Sequence, residues 1–229
     1  MICYCCLEKV EEPTTWGTFL TFTHKTICSY CEDQLEKVSF HHCSKCAKEI
    51  PRSKLICRDC VQWKNLFEED PLVKNISLYQ YNDFMREIIA KFKYRGDYEV
   101  SYAFQNQMQQ SYEHHFKKLK LNIVPIPLSD SRQKERGFNQ AEALALHLEK
   151  TPLTNLLYRK ESFHEEKQSK RSKFERIHSN QTFYTSATVP ENILLIDDLY
   201  TTGTTIRQAA IVLKKSGAKS VYSFTLIRS

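Results

Sequence analysis

The sequence predicts an α/β fold, a parallel sheet flanked by helices, with a small cysteine-rich module at the N-terminus. Three observations carry that prediction. Ile193, Leu194, Leu195 and Ile196 form an apolar run too uniform for a half-exposed strand and too short for a helix, as in a buried strand of a parallel sheet. A second strand, loop and helix pattern stands earlier, over Ile123–Leu148. All nine cysteines fall within the first sixty residues, mostly as CxxC pairs, and the rest of the chain has none.

The cysteine module is expected over 1–62. Its pairs are Cys3 with Cys6, Cys28 with Cys31, Cys43 with Cys46, and Cys57 with Cys60. Each pair sets two thiolates on one tight turn, and two turns complete a tetrahedral site with metal–sulfur bonds of about 2.3 Å. Eight ligands make two closed sites for structural Zn²⁺, with no open position for catalysis. The simplest grouping is sequential, as two tandem zinc ribbons; the spacing also admits an interleaved one. Cys5 is left over, as a free thiol or a competitor for Cys6. His24, His41 and His42 stand outside the pattern and are expected on the surface. So small a module buries little core, so the metal supplies folding energy. Its expected job is a contact surface for nucleic acid or protein.

The opening MICYCCLEKVEE lacks a basic segment before an apolar run, and no stretch approaches the roughly 20 apolar residues of a membrane helix. A cytoplasmic protein without membrane insertion is expected, and in that reducing compartment clustered CxxC pairs are metal ligands rather than disulfides. The net charge is +6, and residues 1–62 carry eight Lys/Arg and eight Asp/Glu, so the excess belongs to the C-terminal part. A basic balance there suits a pyrophosphate-bearing substrate, nucleic acid, or both.

Residues 63–77 are expected to connect the module to a larger domain over 78–229. The connection carries Trp63, Phe67 and an acidic run, Glu68 to Asp70, before Pro71. Leu78–Tyr81 suggest a short strand. Asp83–Lys93 form a helix with Phe84, Ile88 and Phe92 on one face, ended by Gly96; Lys93 and Arg95 could reach a phosphate, but a solvated helix end is the expected reading. A second helix is expected over Ala103–Leu119, with His114 and His115 exposed. Ile123–Ile126 suggest the first central strand, ended by Pro127. A basic loop follows with Arg132, Lys134 and Arg136 before Gly137, then a helix over Phe138–Leu148. Lys160–Phe183 are polar without regular apolar spacing, and a loop is expected.

After Ile196 come Asp197 and Asp198, then Thr201, Thr202, Gly203, Thr204 and Thr205, then a helix with Ile206, Ala209, Ala210 and Leu213 as its stripe and Gly217 as its stop. In open α/β sheets the ligand crevice lies beyond the carboxyl ends of the strands, where a helix N-terminus favours anions. The threonines offer hydroxyls and amides to a phosphate, and Gly203 lets the backbone approach closely. Carboxylates repel phosphate but accept hydrogen bonds from sugar hydroxyls and assist a divalent cation. The order spells a site for a phosphorylated ribose, and it resembles the phosphoribosyl pyrophosphate (PRPP) motif of type I phosphoribosyltransferases. A Walker A loop would need Lys where Thr204 stands, and a DxDxT phosphatase a carboxylate where Leu199 stands.

Taken in order, the cysteine pairs, FKYRGD (92–97), VPIPLSDSRQKERGFNQ (124–140), EKQSK with the downstream ER and Asn180, IDDLYTTGTT (196–205) and the terminal FTLIRS resemble the ComF family over nearly the whole length. The resemblance implies a zinc module joined to a type I phosphoribosyltransferase-like parallel sheet flanked by helices. It implies PRPP with Mg²⁺ as ligand, and a role in natural transformation, the uptake of single-stranded DNA, beside a competence helicase. It carries Asp197 and Asp198 over as ribose ligands and Thr201 to Thr205 as the phosphate loop. It also carries Arg132, Arg136, Gly137, Asn139 and Gln140 in the RGFNQ element, and Gln168, Arg176 and Asn180 in a mobile segment. There Lys170, Arg171 and Arg176 would neutralise departing pyrophosphate. Catalysis would be mostly electrostatic, resting on Asp197, Asp198, Arg132 and Arg136. The resemblance supplies no acceptor. Two alternatives keep the fold: a single-stranded DNA-binding adaptor using the zinc module, the basic loops, Phe138 and Tyr200, and a salvage enzyme without a DNA role.

Overall fold

A computed structural model describes residues 2–10, 25–67, 69–161, 182–186 and 188–229. His24, Glu68, Gln168, Lys170, Arg171, Arg176 and Asn180 lie outside the described residues.

The N-terminal part is built twice by the same local rules. In each copy a CxxC turn comes first. Cys3 N–H donates to the Glu8 carbonyl at 2.8 Å and Leu7 N–H to the Cys3 carbonyl at 2.9 Å; Cys43 N–H donates to Lys48 at 2.7 Å and Ala47 N–H to Cys43 at 3.0 Å. Leu7 and Ala47 close these turns at φ 65° and 61°, in the left-handed region. A helix with a cysteine N-cap follows: α1 (Ser29–Asp33) is capped by Cys28 and α2 (Arg58–Leu66) by Cys57, each Sγ accepting from the N–H three residues on. The halves are joined alike, Tyr4 N–H to Thr26 and Ser44 N–H to Leu55, both at 3.0 Å. Cys28 N–H also points to Cys3 Sγ at 3.3 Å and Cys57 N–H to Cys43 Sγ at 3.2 Å, which fixes the sequential grouping.

A four-stranded parallel sheet follows, in the order β1 (Asn75–Gln80), β6 (Ser220–Arg228), β5 (Asn192–Tyr200) and β2 (Asn122–Pro125). The outer edge of β1 is covered by the module, since Val38 N–H donates to Leu78 and Gln80 N–H to Glu36, at 3.0 and 2.7 Å. The strand expected to be central, Ile123–Ile126, instead ends the described sheet: β2 pairs only with β5, and its other side is met by Leu153 N–H on the Ile123 carbonyl at 2.8 Å. Strand β5 also runs four residues beyond the expected end at Ile196, because its pairing with β6 continues to Leu199 opposite Ile227 and Tyr200 opposite Arg228.

Helix α3 (Asp83–Tyr94) starts at Asn82, whose Oδ1 accepts from Met85 N–H at 2.8 Å, and ends just before Gly96 at φ 70°. The helix expected over Ala103–Leu119 is divided into a 3₁₀ turn (Tyr98–Phe104), α4 (Gln105–His115) and a second 3₁₀ turn (Lys117–Leu119). The basic loop is itself a helix, α5 (Asp130–Arg136), stabilised from afar: Glu161 accepts from Ser131 N–H at 2.7 Å and from the Ser131 hydroxyl at 3.0 Å. Helix α6 (Gln140–Ala145) is shorter than its periodicity suggested, because Asn139 caps it at one end and tight turns from His147 to Leu144 and from Leu148 to Ala145 close the other. An antiparallel pair, β3 (Leu157–Arg159) with β4 (Phe183–Thr185), precedes β5, and α7 (Thr204–Lys215) joins β5 to β6. The sheet and its helices divide the buried apolar residues between two clusters, one against the first cysteine copy and one against the second.

Candidate functional site

A cleft opens beyond the carboxyl ends of β2 and β5, the place where a parallel sheet exposes strand-end groups. Asp197 and Asp198 both line it. Asp197 Oδ1 accepts from Asp198 N–H at 2.9 Å, and Asp198 Oδ2 is paired with Lys93 Nζ at 2.5 Å. Burial, and then the neighbouring Asp198 charge, push the Asp197 carboxyl well above the usual carboxylate range, with Lys93 opposing. Lys93 was expected at a solvated helix end. It lies instead against the carboxylates, because α3 ends over the strand tips.

The opposite wall is basic. Arg132 and Arg136 from α5 line it, joined by Arg159 from β3. Arg136 donates to Gln140 Oε1 at 3.0 Å and lies 5.9 Å over the Tyr94 ring, while its buried Nε has no hydrogen-bond partner among the described residues. Burial, with Arg132 and Arg136 nearby, lowers the proton affinity of Arg159, and Asp197 opposes that shift. A buried orphan donor among crowded guanidinium groups is an arrangement that an anion would relieve. Asn139 and Gln140 hold this wall up. Asn139 Nδ2 donates to the Ile126 carbonyl at 3.0 Å, and Gln140 Nε2 to the Phe92 carbonyl at 3.2 Å.

The floor is the turn from β5 into α7. Gly203 stands at φ 78°, and a Cβ there would meet Tyr200 Oη and Arg207 Nη1, so only glycine fits. Thr201 and Thr205 line the cleft, and beside them the Thr202 and Thr204 hydroxyls meet at 2.9 Å. Tyr200 is buried at 2% exposure, so it offers no face to a base, contrary to its expected role in an adaptor, while Phe138 is half-buried. Arg159 is not singled out by the sequence, and Lys93 reads there as a solvated helix end, with a phosphate as its other partner and no carboxylate in view. Arg159 is placed by the pairing of Leu157–Arg159 with Phe183–Thr185, which no local pattern encodes.

The two cysteine tetrads, Cys3–Cys6–Cys28–Cys31 and Cys43–Cys46–Cys57–Cys60, each gather four sulfurs within 4.8 Å of one another. A tetrahedral site with bonds of about 2.3 Å has sulfur–sulfur edges of about 3.8 Å. Cys6 and Cys28 stand 3.8 Å apart and Cys46 and Cys57 3.6 Å, so both tetrads fit a metal ion. Cys5 belongs to neither; burial, with the tetrad thiols, pushes its thiol up to about 12, and its carbonyl accepts from Lys91 Nζ at 2.8 Å. His41 and His42 also stand apart, His41 exposed and His42 Nδ1 2.6 Å from the Ser39 carbonyl. Among the described residues no helix is long and apolar enough to cross a membrane.

No family model matches the chain. Individual relatives do. Competence protein ComFC of Bacillus subtilis (strain 168) is 41% identical over 235 residues, covering all of this chain and 95% of that protein. Competence protein ComFC of Streptococcus pneumoniae is 31% identical over 233 residues and the whole of both chains, and Competence protein F of Haemophilus influenzae is 24% identical over 214 residues, 89% and 90% of the two. Similarity of that extent, at 41% and 31% identity, makes the chain a member of the ComFC family of competence proteins.

Proposed function

We propose that the cleft binds PRPP with Mg²⁺ and that the chain is a phosphoribosyltransferase-like protein of natural competence, handling transforming single-stranded DNA. The observation that carries the reading is the division of the cleft into a carboxylate side, Asp197 and Asp198, and a guanidinium side, Arg132, Arg136 and Arg159, about one helix N-terminus. Ribose hydroxyls suit the first, pyrophosphate the second, and the 5′-phosphate suits the loop Thr201 to Thr205. Asp197 and Asp198 would also help hold Mg²⁺, which would supply positive charge to offset the negative charge of the leaving pyrophosphate. In this proposal zinc fills both tetrads, the module over 1–62 joins through 63–77 to the domain over 78–229, and the protein works in the cytoplasm. A competence helicase would be its partner, and Gln168 and Arg176 would be among the ligand's contacts.

Calorimetric titration of PRPP with Mg²⁺ into the zinc-loaded protein tests the reading, with Asp197→Asn/Asp198→Asn as control. Saturable binding abolished in the folded control supports it; no binding by the folded wild type sinks it. A second reading, a DNA-binding adaptor without catalysis, is favoured by one observation: the relatives reported above are named for competence. Release of pyrophosphate that depends on an acceptor favours the enzyme. Salt-dependent binding of single-stranded DNA without such release favours the adaptor.

A further inference from the structure

The second cysteine tetrad lies under the phosphate loop, and a continuous set of buried contacts joins them. Helix α2 carries two of the four sulfur ligands, Cys57 as its N-cap and Cys60 in its first turn. One turn further on, Trp63 is completely buried and donates from Nε1 to the Thr202 carbonyl, inside the loop, at 2.8 Å. The Arg207 guanidinium lies 4.7 Å over the Trp63 ring. It donates to Asp70 from Nε and Nη2 at 3.0 and 2.8 Å, and from Nη1 to Tyr200 Oη at 2.7 Å. Arg228 completes the circuit, reaching the Cys46 carbonyl at 2.9 Å, Cys46 Sγ at 3.5 Å and the Tyr200 carbonyl at 3.0 Å. Gly203 sits directly against Tyr200 and Arg207, so the loop packs on this circuit at van der Waals distance.

We propose that the second cysteine site positions the phosphate loop: metal at Cys43, Cys46, Cys57 and Cys60 fixes α2, and Trp63 carries that constraint to Thr202. Packed elements joined in this way are biased together, and linkage makes the effect reciprocal. A phosphate ester in the loop slows metal loss from the second site, and metal loss there weakens the ester. The first site stands outside the path. The copy that carries it is tied instead to the far helical layer, through Lys91 on the Cys5 carbonyl and Thr26 on Ala103. Trp63 is thus a positioning residue, and the inference about ligand retention rests on the cleft binding PRPP as proposed above.

Two arms test it on the full-length, metal-loaded chain. In the first, hydrogen exchange over residues 199–206 is compared between wild type and Trp63→Phe, which keeps an aromatic ring beneath Arg207 and removes the N–H donor. Exchange faster by roughly five- to tenfold, the scale of one lost hydrogen bond, with both metals retained, supports the coupling. Unchanged loop exchange in the metal-loaded variant overturns it. In the second arm, which needs no variant, wild-type protein is challenged with a zinc chelator and iodoacetamide, with and without PRPP and Mg²⁺, and cysteine alkylation is mapped by mass spectrometry. PRPP is expected to slow alkylation of Cys43, Cys46, Cys57 and Cys60 severalfold and leave Cys3, Cys6, Cys28 and Cys31 unaffected. Equal protection of both sites, or of neither, in a protein that binds PRPP by calorimetry overturns the coupling. Should the wild type bind no PRPP, the ligand assignment fails, and the exchange arm alone decides the coupling.

Discussion

The two cysteine sites share one local design and differ in what lies beneath them. Each has a CxxC turn closed by a left-handed residue, a cysteine-capped helix and one main-chain bond between halves. In the first, Cys6 and Cys28 remain half-exposed, and α1 ends after five residues. In the second all four cysteines are buried, and α2 runs on for nine residues to place Trp63 under the Thr201–Thr205 loop. Cys46 also receives Arg228 at its carbonyl and sulfur, and Asn75, itself bonded to Ser77 and Ser223, reaches the same carbonyl at 3.4 Å. A repeated cysteine unit is therefore set in distinct surroundings by the length of its helix and the polar residues that meet it.

The comparison breaks most severely at the ligands. Cys43→Ser should remove the metal of the second site, whose binding free energy is on the order of 10 kcal/mol in small zinc modules, and with it the fold beneath the cleft. Cys6→Ser, at the half-exposed site, should release one metal and leave the Asp197 cleft able to bind its ligand. Metal content and thermal unfolding measured together check both; equal damage from the two substitutions would erase the distinction. A mutant at Cys43 that kept all its metal would remove the assignment of that tetrad.

Next in size is the ion pair that supports the loop. Arg207 is 1% exposed and Asp70 13%, so Asp70→Ala leaves a buried guanidinium without its carboxylate, at a cost of about 3–5 kcal/mol. The second copy supplies its own control. Lys48 and Asp59 pair at 3.1 Å in the open, and Asp59→Ala should cost about 1 kcal/mol or less. Urea unfolding midpoints separate the two cases. Gly203→Ala should fall between them, at about 1–3 kcal/mol, since it forces a side chain into a left-handed backbone against Tyr200 and Arg207. Its loss of PRPP affinity should exceed its loss of stability, because the strain is relieved by moving the loop.

How much of this was legible depends on whether the determinant is local. The apolar run into Asp197, the stripe of α7 and the CxxC pairs are short-range patterns, and each marks an element the structure contains, although β5 runs on past Ile196 to Tyr200. Strand β6 was hidden because Ser220, Ser223 and Thr225 interrupt its apolar residues; two of these are spent on the buried Asn75 network. Helix α5 was hidden because its N-terminal partner, Glu161, is distant in sequence. CxxC spacing could not choose between sequential and interleaved sites, since both use identical pairs. The folded chain decides it, through four sulfurs gathered in each sequential tetrad and the N–H groups of Cys28 and Cys57 aimed at Cys3 and Cys43. The carboxylates of the cleft announce themselves as a pair; the cations that answer them, Lys93 and Arg159, come from elements elsewhere in the chain.

The smallest expected effect on the fold divides the two adjacent carboxylates, and its sign follows from their surroundings. Asp197 keeps its proton to higher pH in the native protein than in the unfolded chain, chiefly through burial and then through Asp198. Between the two pKa values the native state therefore holds the proton that the unfolded state has released, and stability falls as pH rises from just below 4 through the raised value. Asp197→Asn should remove that decline, leaving the apo protein slightly more stable at neutral pH while weakening PRPP and Mg²⁺. Asp198→Asn should also weaken the ligand with fold and metal content intact, but it strands Lys93, whose counter-ion is Asp198, and should lower stability modestly. Thermal midpoints across pH 4 to 8 for the two variants, beside their PRPP affinities, test the difference. Parallel pH profiles would mean that the carboxylates are equivalent and that burial does not hold Asp197 protonated. A wild-type affinity that rises with pH, with a proton released on binding, would instead identify ionised Asp197 as the form that meets the ligand.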